Sequence, residues 1–556
     1  MVHRGPIAGI AACGPWIATA GYDNLLILWD SASRRAVSRA CHDHLVNSCE
    51  FSHDGSLLVS ASSDYSARIW EVPSLRLKVA LTGHGDDVDM AAFSPDDSRV
   101  ATCALDRKLR IFDLEGKCLA VLEGHTGNIL SLAWSGDGSR IVSSSVDGTL
   151  REWDAATGRE IRCNDIGVRT DTVQIDASGR IIAGDDRGRI LLAAEGRLHA
   201  FDAHRAGIKK LVFEEESGIL VSLSYDRTLA IWNSRGAALV ELARSELPAC
   251  VWARAAALCG KHRVAAGTFG STYGLYDWSE GKWDLEGWKP DESLNAVAVS
   301  EEGIHSIGDA GILFTEGVPQ QNLGSLCNFL LPFGQRLLSG GQLGVLYDAK
   351  TGEKLHTHHS PLNCAASFFR SGLPHVAVGT YTGEILVFAE ESEGLSLVST
   401  LKVYGNAVKG LAASRDRIFS VCASTDIAWH DLADFSLVRR VEHAHERIAN
   451  ACCLAGENGF ASVGRDRVLR IWTSDADEAY PSPHPNSVKC IAASGDGRIL
   501  MTGAYSGTLA GFDLKTRRWM RMTRPTASGI SSIAYDPGGF FVASAYDGRL
   551  YKAQIQ

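Results

Sequence analysis

Three histidine clusters carry the side chains most able to hold a metal ion: Cys41-His42-Asp43-His44, His356-Thr357-His358-His359 and Glu442-His443-Ala444-His445. Imidazoles and carboxylates are ordinary zinc ligands, but a site needs several of them converging on one point. Each cluster sits in one short loop ahead of an apolar strand, and convergence is not written into the spacing. No metal site and no cofactor is expected, and His356, His358 and His359 form the one metal candidate. Enzyme motifs are missing: there is no Gly-x-Ser-x-Gly elbow, no Gly-x-x-x-x-Gly-Lys phosphate loop, no His-Glu-x-x-His and no Gly-x-Gly-x-x-Gly opening a helix. The expectation is a chain that is not an enzyme. The exception would be an active site built from several segments around a channel, which leaves no local motif.

Recognition of nucleic acid predicts a basic footprint, whereas the formal charge here is −10 with a pI near 6.0. One basic run, Lys515-Thr516-Arg517-Arg518-Trp519-Met520-Arg521 with Arg524, reads as charge on an exposed edge strand, where it blocks edge-to-edge pairing. The fourteen cysteines show no Cys-x-x-Cys spacing and fall mostly at apolar strand positions, as reduced thiols do. The first twenty residues are interrupted by Gly and Pro and align as strands, so no signal peptide is expected, and no apolar run is long enough for a membrane helix. A cytoplasmic location follows as the expectation.

The elements that must position these residues are strands in a repeated layout. It is clearest in Leu122–Asp154, LEGHTGNILSLAWSGDGSRIVSSSVDGTLREWD. ILSLAW and RIVSSS alternate as half-buried strands, GDGS and VDGT are turn clusters, and TLREW is a third strand ending in Trp153-Asp154; the following AATGREIRC supplies a turn and a fourth strand. A four-stranded sheet this small buries its faces only by stacking on copies of itself. Fifty-six glycines against fifteen prolines suit a chain of many tight turns.

A Gly-His pair, a Ser-x-x-x-Asp turn and a closing Trp-Asp resemble the WD-repeat family of β-propellers. The resemblance implies a buried network closing each blade. It assigns that role to His44, Ser60, Asp64 and Trp70; His125, Ser143, Asp147 and Trp153; His204, Ser222, Asp226 and Trp232; and His445, Ser462, Asp466 and Trp472. Partial sets occur at His3, Thr19 and Asp23, at His84, Thr102 and Asp106, and at Thr502, Ser506 and Phe512, while one repeat keeps only a turn at Asp186. About fourteen units of roughly forty residues fit two seven-bladed propellers. The expected fold is all-β, with one propeller over 1–289 and a second over 290–556. Fourteen units have thirteen connecting segments, so one blade should lack its outer strand. The segment around Trp283 could complete either the seventh unit or the fourteenth, or the fourteenth unit could close the first ring.

In the family, the residue just before the turn Asp faces the top of the ring. Here that position carries Tyr22, Tyr225, Phe269, Tyr381, Tyr505 and Tyr546, with Arg465 in one repeat. Aromatic residues give large contact area at low entropic cost, the composition of binding hot spots. The resemblance therefore implies a non-catalytic scaffold docking proteins or peptides on the top faces, with no nucleic acid and no membrane. The alternatives are a sensing module of a multi-protein ATPase or effector system, and an enzyme with a channel-mouth site.

Overall fold

The computed structural model describes residues 1–194, 197–236, 238–289, 292–391, 394–456, 459–473 and 477–554. It divides into two compact units, Met1–Asp291 and Glu292–Gln556. The expected boundary at 289/290 adjoins residues 290 and 291, which lie outside the described residues. All described regular structure is β: thirteen four-stranded antiparallel sheets and one three-stranded sheet, each built from consecutive strands. No helix among the described residues is long and apolar enough to cross a membrane.

The burial of each strand follows its place in the sheet. In blade 4 the second strand, Arg140–Ser145, is buried almost throughout, because neighbouring blades cover both its faces. The third, Thr149–Asp154, alternates, and the outer strand Glu160–Asp165 is mostly exposed. The apolar core lies between blades rather than within them. Val142 and Leu150 of blade 4 pack with Val173, Ile181 and Leu191 of blade 5, so no sheet is stable without its neighbour.

In the first unit the inner strands are Ile7–Cys13, Val46–Phe51, Val88–Phe93, Ile129–Trp134, Thr170–Ile175, Ile208–Glu214 and Val251–Leu258, for blades 1 to 7. Each neighbours the next, and Val251–Leu258 neighbours Ile7–Cys13, which closes a seven-bladed ring. Blades 8 to 14 repeat this with inner strands Leu294–Ser300, Cys327–Phe333, Leu362–Arg370, Val408–Ala413, Ala449–Ala455, Val488–Ala493 and Ile530–Asp536, the last beside the first. The fold is two seven-bladed β-propellers.

Trp283 lies on Lys282–Asp284, which pairs with Gly274–Asp277 and completes blade 7. Its indole donates to Ser245 Oγ (2.9 Å) and stacks near Tyr276 (5.0 Å between centroids). Blade 14 has three strands among the described residues and belongs to the second ring. Gly270 replaces the turn Asp of blade 7 because Trp288 fills that turn; a Cβ there would lie 2.5 Å from the indole nitrogen. No disulfide joins any of the cysteines.

Candidate interaction site at the channel mouths

The network that closes each blade is formed in detail. His125 Nε2 meets Ser143 Oγ at 2.7 Å, its Nδ1 meets Asp147 Oδ2 at 2.8 Å, and Trp153 Nε1 donates to Ser143 Oγ at 2.9 Å. The Asp147 carboxylate also accepts from Thr126 N, Thr149 N and Thr149 Oγ1. Burial alone would raise its pKa, but these donors outweigh burial and hold the carboxyl well below the usual range. The sets His204, Ser222, Asp226, Trp232 and His445, Ser462, Asp466, Trp472 are joined in the same way. In blade 1, His3 and Trp29 converge on Thr19, with Asp23 against His3. In blade 3, Phe112 is buried in place of the indole.

Blade 2 corrects one assignment: His42, not His44, contacts Ser60 (2.7 Å) and Asp64 (2.8 Å), with Trp70 also on Ser60. The reason is register. The network histidine stands four residues ahead of the inner strand, and counting back from Val46 reaches His42, while His44 accepts from the neighbouring Leu45 N. The same count finds two members missed in sequence. His484, ahead of Val488, contacts Thr502 (2.9 Å) and Thr508 (2.6 Å), and Tyr404, ahead of Val408, takes the histidine's place with its hydroxyl on Ser420 (2.8 Å).

All inner strands of a ring run the same way, so their first residues gather at one mouth of the channel. Every inner strand carries a register shift one residue in; the extra residue is Ala8, Asn47, Asp89, Leu130, Asp171 and Lys209 in blades 1 to 6. In blade 7 the shift spans Trp252 to Ala255. In the second ring the extra residues are Asn295, Asn328, Asn363, Lys409, Asn450, Lys489 and Ser531. A bulge re-aims a side chain out of the ladder. Five of these asparagines use the new direction to bridge blades: Asn47, Asn295, Asn328, Asn363 and Asn450 each donate to the carbonyl of the first inner-strand residue of the next blade, at 2.7–3.1 Å.

The residues before the turn Asp come to the same mouth. In every blade that residue's N–H bonds the carbonyl just ahead of the inner strand, as Tyr22 does to Pro6, Tyr225 to Gly207, Tyr381 to Pro361, Arg465 to Ile448, Tyr505 to Ser487 and Tyr546 to Gly529. In blade 5 it is Asp186 that holds this place. The carboxylate receiving the turn amides there is Asp185, so the turn is corrected by one residue.

In the first ring, aromatic and charged groups therefore interlock. Tyr22 meets Trp252 edge-on at 5.3 Å, and Trp252 lies 5.5 Å from Phe269. Phe269 is 7% exposed, so it is a packing residue beneath Trp252 rather than a presented one. Lys209 lies over Tyr225 (4.8 Å) and bonds Asp171 (2.8 Å) and Asp186 (2.5 Å), while Arg169 also reaches Asp171. Arg254 of blade 7 spans to Asp89 of blade 3 at 3.2 Å. Burial opposes the charge on Lys209, but the two aspartates outweigh it and hold its pKa above the ordinary value.

The second ring has a different character. Tyr505 and Tyr546 stack at 6.2 Å, and Lys409 lies over Tyr381 at 5.5 Å. Burial, reinforced by Lys489 and Arg465, pushes the Lys409 ammonium down to about 7. The basic run expected at an edge is partly absorbed by the fold: Trp519 packs on Phe512 (5.1 Å) and Arg517 pairs with Glu478 (3.1 Å). Of the metal candidates, His356 packs on Phe388, whereas His358 and His359 converge with Glu384.

A family model described as the WD domain, G-beta repeat, matches residues 2–30, 36–71, 75–113, 116–154 and 196–233 in the first unit and 480–513 in the second. These six segments are WD40 repeats. The chain is similar to the WD repeat-containing protein 26 homolog of Arabidopsis thaliana, 27% identical over 34% of this chain and 33% of that protein. WD repeat-containing protein 55 of Mus musculus is 27% identical over 32% of this chain and 47% of its own length. The ribosome biogenesis protein WDR12 homolog of Drosophila persimilis is 26% identical over 21% and 29% respectively. The chain spans less than half the length of each of these relatives. Blade 12 lies outside the matched segments, yet it has the full WD40 network, because the network needs four side chains in register rather than the whole repeat consensus.

Proposed function

We propose that this WD40 protein is a non-catalytic interaction scaffold that docks protein or peptide partners at the channel mouths of its two rings. One observation carries the reading. The two positions in each blade that are free of the closing network, the bulge residue and the residue before the turn Asp, all collect at one mouth, and several exchange the bridging asparagine for aromatic or charged side chains. Half-buried tyrosines and Trp252 offer large, rigid contact area, and the lysine, arginine and aspartate groups around them fix orientation. The relatives' names include WD-repeat proteins and a ribosome biogenesis protein, which agrees with a role in assemblies. The acidic net charge favours protein over nucleic acid as the partner.

The test is recovery of partners by pull-down from cells with the full chain, comparing Tyr225→Ala and Tyr505→Ala with the unaltered protein and monitoring folding by circular dichroism. A partner lost with one of the folded variants supports docking at that mouth. Partners retained by both variants refute it.

A further inference from the structure

Blade 10 keeps the network histidine but has lost everything that histidine normally binds. His358 stands four residues ahead of the inner strand Leu362–Arg370, and its N–H bonds Gly344 O as His204 N bonds Gly188 O. The strand register places Val378 where blade 4 has Ser143, Thr382 where it has Asp147, and Phe388 where it has Trp153. Valine and phenylalanine offer no polar partner. The imidazole has turned instead to a carboxylate at the position of Thr149: His358 Nε2 lies 3.1 Å from Glu384 Oε2, which also accepts from Thr382 Oγ1 at 3.1 Å.

The adjacent His359 ring lies beside that of His358, with centroids 4.1 Å apart. One ligand atom from each of His358, His359 and Glu384 falls within 4.8 Å of the others. Four-coordinate zinc, with bonds of about 2.0–2.1 Å, needs its ligand atoms about 3.3 Å apart. The His358–Glu384 pair already meets that spacing at 3.1 Å, and the His359 ligand atom lies within 4.8 Å of both. On the far side of His358, Nδ1 has Ser360 N at 3.1 Å, which donates to it in the tautomer that carries its proton on Nε2, and Ser360 O at 3.3 Å, the backbone acceptor that would hold the Nδ1–H of a metal-bound imidazole.

We propose that His358, His359 and Glu384 bind a divalent transition-metal ion of the zinc class, leaving a fourth position for water. The ion ties the loop ahead of blade 10's inner strand to its third strand, the connection that the histidine network makes in complete blades. His356 takes no part.

The test is titration of the metal-free full chain with Co2+ and then Zn2+. The site predicts about one equivalent bound with the visible d–d bands of a four-coordinate ion. It also predicts no thiolate-to-cobalt charge-transfer band, which would report the exposed Cys41, Cys118 and Cys163 instead. Glu384→Gln preserves shape and the Thr382 bond, and His359→Ala truncates a half-buried ring, so both should fold. Each should weaken binding by about tenfold or more and abolish the rise in Tm that Zn2+ gives the unaltered chain. Absence of saturable binding, a thiolate band alone, or equal affinity in both variants overturns the site and leaves a His358–Glu384 ion pair.

Discussion

Asp147→Ala tests how a WD40 blade is held together. The carboxylate receives four bonds: from His125 Nδ1 at 2.8 Å, Thr126 N at 3.0 Å, Thr149 N at 2.9 Å and Thr149 Oγ1 at 2.7 Å. Thr126 is at the exposed rim and regains water. His125, with its side chain fully buried, does not, and an unsatisfied buried donor costs about 1–3 kcal/mol. The shielded Thr149 bonds add about 1 kcal/mol, so the expected loss is about 2–4 kcal/mol. For a ring of this size that corresponds to a fall in Tm of roughly 3–7 °C in the first unit's calorimetric transition. Asp154→Ala, whose three bonds from Ala156 N, Thr157 N and Thr157 Oγ1 lie at the surface of the same blade where water can replace them, is the control and should lower the transition by less. The sign with pH is fixed. The folded carboxyl lies below its unfolded value, so its contribution is complete above about pH 4 and fades as the pH falls further. A Tm for Asp147→Ala equal to that of the control would refute the reasoning, as would additivity with His125→Ala, since members of one network must couple.

Two more perturbations probe the channel linings. Burial pushes Glu50 on the inner strand of blade 2 up to about 7, against the lowering effects of Lys210 and the Phe93 amide. The folded state then holds a proton that the unfolded chain releases near pH 4, so stability falls as the pH rises from about 4 to 7. Glu50→Gln should match the unaltered protein in Tm at pH 4.5 and exceed it at pH 7.5, and a pH-independent difference would refute this. Lys409 has the opposite linkage: with its folded pKa near 7, the unfolded chain binds the extra proton between about pH 7 and 10, so stability rises across that window. Lys409→Met should raise the Tm of the second unit at pH 6.5, with the advantage shrinking toward pH 10; a constant advantage would show that packing alone is responsible.

The β-propeller fold was legible because the signals are local. Trp153-Asp154, the Ser143-to-Asp147 turn and His125 lie within one repeat and recur at a regular interval. Assignments failed where two candidates stood close together, as with His42 and His44, where only the count from the inner strand decides. Tyr404 escaped because a phenol in place of an imidazole matches no consensus. The mouth was half legible. The tyrosines before the turns were visible, but a bulge depends on how two strands pair, so Lys209, Trp252, Lys409 and Lys489 looked like ordinary strand residues. Glu384 lies twenty-six residues from His358, and only the fold of blade 10 joins them.

Among the described residues, every sheet is assembled from strands adjacent in the chain, and none combines the two ends of a ring. Each ring is thus joined, among the described residues, at one place by packing and side-chain contacts rather than by shared strands: in the first, with His3 N on Ser271 O (3.1 Å) and Arg34 against Tyr273 O and Asp284; in the second, with Ser293 Oγ on Tyr546 O (3.0 Å). Such a chain can be laid down blade by blade during synthesis, each hairpin set folding on the one before it, with a single long-range step at the end. The same arrangement makes the starting blade arbitrary. A circularly permuted ring cut at any inter-blade loop keeps every sheet intact and only moves the seam through which it opens.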